Sequence, residues 1–252
     1  MTKEASNIKN NTKKNTTFET MGDTIEIDPK DGIPLKHVGF PDQMSVASFY
    51  AIGNILFGAI GFAVAWFLAY YNPIIIRHGS LSVDARIELL TQHDLGWLYL
   101  GIFLLKLLQV PFSIVLGEAR KTSKVAVPDQ QVYKVMGSSD GSKHNELGYV
   151  LMEKDGVHGA FNRAQRALQN YHEVFPTLAL QYVAASWVFP FEAFVCVMVW
   201  AVTRVLGAIG YKTKADDRFR GIMPGLVALS TIQGMILIAA FRALTLTAAQ
   251  VE

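Results

Sequence analysis

The sequence predicts an all-α integral membrane protein, a four-helix bundle preceded by one extra N-terminal transmembrane helix, five spans in total. Three observations carry this. Hydrophobic residues make up 51% of the 252 and charged ones only 17%, where a soluble domain has about a quarter charged. No charged residue occurs between Gln43 and Ile76. Four further apolar runs follow, three of them near the roughly 20 residues that a helix needs to cross a bilayer and one shorter behind an amphipathic start. The same balance excludes a disordered chain. A net charge of +2 supplies no field for a nucleic-acid partner, and a lone cysteine, Cys196, excludes a disulfide scaffold.

Residues 1–41 read as a flexible polar tail, rich in Asn, Lys and Thr, with too little to bury to offset chain entropy. They lack the apolar core of a signal peptide and are too acidic for a transit peptide. Residues 42–76 form the extra span, centred on Ala47 to Tyr71, with Tyr70 and Tyr71 as interfacial anchors and Asn72-Pro73 as the stop. The second run, Leu95 to Gly117, holds Lys106 as its one charge and Pro111 as an expected kink. A polar stretch, 118–158, separates it from the third run, which starts amphipathically near Ala160 and turns apolar from Val174 to Val188. Phe189-Pro190 marks a tight turn. The fourth run covers Phe191 to Tyr211 and carries Arg204; a short charged loop leads to the fifth, Ile222 to Phe241. The domain of four spans is thus expected over 95–245, and no internal repeat interrupts it.

Charge placement predicts sidedness. Lys and Arg number six in the tail, eight from Arg120 to Arg166 and four from Lys212 to Arg220, against Arg77, Arg86 and Arg242 on the other side. The positive-inside rule then puts the tail and the loops 118–158 and 212–220 in the cytosol. Only an odd number of spans fits this bias well.

The third run carries the chemistry. On a 3.6-residue period Arg166, Asn170 and Glu173 share one helix face, with Asn162 and Gln169 beside them. Polar groups at this depth must face protein or water, because facing lipid costs several kcal/mol each. One reading is an amphipathic helix start, with arginine reaching headgroups and amides joining helices. The other is a ligand site, since Arg, Glu and two amides suit a zwitterionic, peptide-like molecule. His158 and His172 lack partners at metal-ligand spacing, so no metal site is expected. Cys196, among Val and Phe, reads as packing.

Gln165-Arg166-Ala167-Leu168-Gln169-Asn170, Glu173-Val174-Phe175-Pro176, Arg204 through Tyr211, and Arg218-Phe219-Arg220-Gly221 together resemble the membrane-associated proteins in eicosanoid and glutathione metabolism (MAPEG). The likeness is nearest to the type 3 microsomal glutathione transferases, and Glu118-Ala119-Arg120-Lys121 resembles the basic end of that family's first helix. The resemblance implies a homotrimer in an intracellular membrane, endoplasmic reticulum or mitochondrial, with glutathione as co-substrate between subunits near the cytosolic face. It implies that Arg166, Asn170 and Glu173 hold the glutathione backbone, that Arg120 reaches a carboxylate, and that Tyr211 lines the site. Gln169 matches the pattern without an assigned contact. Arg204 is either part of the site rim or a helix-to-helix charge partner. Arg218 falls at the thiol-activating position, with Arg220 as its near competitor. The implied chemistry is glutathione conjugation to lipophilic electrophiles, or reduction of lipid hydroperoxides, the second substrate arriving from the bilayer.

The physical requirement is modest. Lowering a thiol pKa from about 8.5 to near neutrality needs roughly 2–3 kcal/mol in favour of the anion, and one or two guanidinium groups within about 4–6 Å supply it. Departures from the pattern keep a second reading open. Gly207 and Ile209 stand where the family shows aromatic residues, and Leu168 where type 3 relatives often have His. The extra helix is an addition. A non-catalytic subunit of a larger membrane assembly, or a lipid-binding regulator, fits the same residues.

Overall fold

The bundle is built from helices whose buried positions recur three and four residues apart, the spacing that keeps one face of an α-helix toward its neighbours. A computed structural model describes residues 40–71, 83–127, 129–134, 151–215 and 222–249, together with 16–20, 23–27 and 35–36. Its elements are β1 (Thr16–Thr20), β2 (Asp23–Ile27), α1 (Val46–Tyr70), α2 (Val83–Thr91), α3 (Gly96–Leu107), α4 (Gln109–Ser123), β3 (Tyr133–Lys134), β4 (Leu151–Met152), α5 (Gly156–Ser186), α6 (Pro190–Thr213) and α7 (Ile222–Ala249). Helices α3 and α4 are one transmembrane rod, Gly96–Ser123, interrupted at Leu108. Pro111 explains the break, because a proline has no N–H to offer the carbonyl four residues back, that of Leu107. With α5, α6 and α7 this rod makes the predicted four-helix bundle, and α1 is the extra helix.

Among the described residues four helices are long and apolar enough to cross a membrane: α1, the α3–α4 rod, α6 and α7. Helix α5 is the longest, at 31 residues, or about 46 Å, but its first half is polar. Its place is set by period instead. Phe161, Ala164, Ala167, Tyr171, Leu178, Tyr182 and Ala185 are all buried, three, four or seven residues apart, and this stripe is what the rest of the bundle packs on. Ala193, Val197, Trp200 and Ala208 of α6, and Ala228 and Ile232 of α7, complete one core with Ala167 to Ala185, while Phe161 and Ala164 pack with Val115, Ala119 and Val125 in a second. Phe112 stacks on Tyr171 at 4.7 Å between ring centroids. Only three residues, Trp187 to Phe189, join α5 to α6, so the two run antiparallel, as a short helix connection requires.

One close approach fixes the register of the rod against α5. The Tyr182 hydroxyl donates to the Trp97 carbonyl at 2.7 Å, and a Cβ at Gly101 would overlap that phenol ring. At the other end of the rod Gly117 faces Val46, Phe40 and Tyr50, which is where α1 docks. Lys121 Nζ adds a bond to the Met44 carbonyl, 3.3 Å. Beyond Gly53 α1 is exposed except at Ala69, and a Tyr70–Asp84 hydrogen bond of 3.1 Å ties its last turn to α2.

Three features go beyond the five spans. Helix α2 forms where Val83, Ile87 and Leu90 repeat at i, i+4 and i+7, with Asp84 in its first turn, a favourable place for negative charge. Within the polar tail β1 and β2 pair antiparallel from Thr16↔Ile27 to Thr20↔Asp23, a run whose β-branched residues favour extended backbone. In the long polar loop β3 and β4 pair through Tyr133↔Met152 and Lys134↔Leu151. Asn162 of α5 holds this pair in place: its side chain accepts from Val132 N–H at 2.8 Å and donates to the Val132 and Glu153 carbonyls at 2.7 and 2.9 Å. Asn162 is thus a buried structural clamp.

Candidate functional site

At the end of the bundle that carries the two polar loops, α4, α5, α6 and α7 enclose a cavity of about 290 Å³. Its polar wall is Asn170, Thr203, Arg204 and Tyr211; Phe112, Tyr171 and Ile222 supply apolar surface, Gly207 and Ala208 leave space between them, and Gly225 lets α7 approach Thr203 closely. The fourth span explains why these residues converge. Thr203, Gly207 and Tyr211 follow one another at i, i+4 and i+8, on one face of α6. Arg204 continues the buried stripe of Ala193, Val197 and Trp200 and therefore points into the bundle, where a leucine would ordinarily sit.

Arg204 is half-buried and lies over the Trp200 ring at 5.4 Å from its centroid. No carboxylate pairs with it among the described residues. Trp200 is wholly buried, and its indole N–H has no acceptor among the described residues. A cation resting on an aromatic face, at the edge of a cavity and with no carboxylate beside it among the described residues, is a ready partner for an anionic group.

Of the residues expected to act together, the structure brings Asn170, Arg204 and Tyr211 to the cavity wall. Arg166 and Glu173 pair with each other along α5, Nη1 to Oε1 at 3.2 Å, with side chains 43% and 50% exposed. They sit one turn on either side of Asn170 but outside the cavity lining. Gln169 is exposed beside them. Arg120 is used locally: it donates to the Ala126 carbonyl at 3.0 Å and stacks over Phe161 at 5.0 Å, closing the end of α4. Arg218 and Arg220 lie outside the described residues. Lys106 bonds Gln109 at 2.8 Å and so is engaged within the rod, and Cys196 packs against the core. Among the described residues no three of His, Cys, Asp and Glu come close enough to hold a metal ion.

Two participants carry no signal in a residue-type search. Thr203 is an ordinary helix residue by type, and only its four-residue spacing from Gly207 and Tyr211 marks it. Arg163 lies three positions before Arg166 and reads as one more interfacial cation, yet its guanidinium is bound entirely to main-chain carbonyls.

The model of one protein family, MAPEG, matches residues 98–241, which take in α4 to α6 whole, nearly all of α3 and most of α7, more than half of the chain. A comparison with curated proteins returns no match.

Proposed function

The chain belongs to the MAPEG family, a multi-pass membrane family of glutathione and eicosanoid metabolism, and from that premise we propose that it is a glutathione transferase or peroxidase acting on lipophilic electrophiles or lipid hydroperoxides. The observation that carries this is the cavity in which Asn170, Arg204 and Tyr211 meet, with the Arg166–Glu173 pair one turn away. Glutathione has two carboxylates, an ammonium and two amides. Arg204 and Arg166 match the carboxylates, Glu173 the ammonium and Asn170 an amide, and each such charge-assisted bond is about twice as strong as a neutral one. Glu173 would leave Arg166 for the ligand, and because both are half-exposed their mutual pairing is weak, about 0–1 kcal/mol.

The protein needs no nucleophile of its own in this reading. Its part is to hold the tripeptide and favour the thiolate by a nearby guanidinium, assigned to Arg218 with Arg220 as the competitor; the sulfur then attacks an acceptor that enters from the bilayer. The cavity is then one subunit's part of a ligand site that a neighbouring subunit completes in a homotrimer, facing the cytosol, and the membrane is that of the endoplasmic reticulum or the mitochondrion. The charge bias supports that sidedness, with four basic residues from Lys212 to Arg220 alone.

The test is equilibrium binding of glutathione to the purified protein, with thiolate absorbance recorded on wild type and on Arg166→Ala, Arg218→Ala and Arg220→Ala. Binding at millimolar concentration with a thiolate signal that one of the loop substitutions abolishes is the expected result. Absence of binding overturns the proposal. Binding without a thiolate signal favours the non-catalytic subunit, the reading that Gly207 supports by standing in the cavity wall where the family shows an aromatic residue.

A further inference from the structure

We infer that Arg163 is a positioning residue that sets Tyr211 against the cavity by capping the last turn of α6 from a neighbouring helix. The last carbonyls of any α-helix have no partner within it. In α6 they are all accounted for. Gly210 O accepts from Lys214 N–H at 3.0 Å. The next three accept from Arg163: Tyr211 O from Nε at 3.1 Å, Lys212 O from Nε at 3.3 Å and Nη2 at 3.2 Å, and Thr213 O from Nη2 at 3.4 Å. The remaining arm, Nη1, donates to Lys154 O at 2.7 Å, just before α5 begins. A positive charge at a helix C-terminus is also where the macrodipole favours it.

The geometry depends on the planar fork. A guanidinium presents several donors in fixed directions, so one side chain reaches three successive carbonyls, whereas an ammonium is a point charge that reaches one or two. The carbonyl nearest Nε belongs to Tyr211 itself, whose side chain lines the cavity. Winding of this turn therefore decides where the phenol stands, and Arg163 acts on the ligand only through Tyr211. Lys212, on the same turn, has its own tie to Glu118 of α4 at 3.0 Å; this fixes the helix end sideways but leaves the carbonyls free.

The inference rests on the glutathione reading for what Tyr211 touches, and two measurements separate the two. The first needs no ligand: amide hydrogen exchange in the full-length protein, wild type against Arg163→Lys. The expected result is faster exchange, roughly tenfold or more, confined to the end of α6, with Leu178 to Ala185 of α5 unchanged. Unchanged exchange at that end, or a rise throughout the bundle, overturns the clamp. The second is a double-mutant cycle on glutathione affinity with Arg163→Lys and Tyr211→Ala. Each alone weakens binding about tenfold, and together no further than Tyr211→Ala alone, because coupled residues do not add. Additive losses overturn the positioning role. If wild type binds no glutathione, the functional proposal fails while the exchange result still decides whether Arg163 is the cap.

Discussion

Gly101 and Gly207 are both empty positions in helices, and they do opposite work. At Gly101 the missing side chain is replaced by the Tyr182 phenol, so Gly101→Ala must push the ring and break its bond to Trp97 O. A loss of about 1–3 kcal/mol is expected from such overpacking, read as a lower melting temperature in detergent; Tyr182→Phe, which keeps the ring, should cost about 1 kcal/mol. At Gly207 the space stays open as cavity. Gly207→Tyr adds a hydroxyl donor and a stacking wall, and glutathione should bind about three- to tenfold more tightly, the yield of roughly one good hydrogen bond; unchanged or weaker binding would mean that the ligand itself uses that volume. At this scale the sequence was readable wherever a polar side chain broke an apolar period. Arg204 stands out against Val and Leu neighbours, and Asn170 by sharing a helix face with Arg166 and Glu173. Arg163 did not, since its partners are carbonyls, which every residue possesses and no letter distinguishes.

Helix ends hold the next tier of information. Helix α4 closes on Lys124, which adopts a left-handed backbone with φ of 60°, a conformation that costs an L-residue about 1 kcal/mol more than glycine. Lys124→Gly should therefore stabilise the protein by about 0.5–1 kcal/mol, measured by chemical or thermal denaturation, with ligand affinity unaltered. Arg120, one turn earlier, holds the same end through Ala126 O and Phe161. Arg120→Ala should destabilise by about 1–3 kcal/mol; if Arg120 also reaches a ligand, affinity falls beyond what the lost stability explains, and Arg120→Lys will not restore it. The spans themselves could be drawn from hydropathy, except α5, whose polar first half hides it from any composition filter and whose buried stripe from Phe161 to Ala185 reveals it by period. The short pairs β1–β2 and β3–β4 could not be drawn, because two to five residues of extended chain leave too little alternation to detect.

The whole molecule divides into a bundle and an appended helix. Helix α1 meets the rest through Val46 and its neighbours at Gly117, the Lys121 bond to Met44 and the Tyr70–Asp84 bond. Removing residues 1–72 should leave helicity and glutathione affinity of the bundle within about twofold and lower its melting temperature by less than roughly 8 °C; unfolding on removal would make α1 integral to the core. The bundle could be read from the chain because burial, period and turn chemistry agree along it. How α1 sits could not, since a helix that is apolar all round has no face to orient it. The consequence concerns how such a helix varies. A Cβ at Gly53, Gly58 or Gly61 would meet nothing within 4 Å, so packing within the subunit places no demand on the middle of α1. Any apolar residue there does the service of another, while one Lys or Asp at the centre costs about 2.5–3.5 kcal/mol. Helix α1 is thus specified by its average and not by its spelling, and a substitution scan across it should register little besides charge.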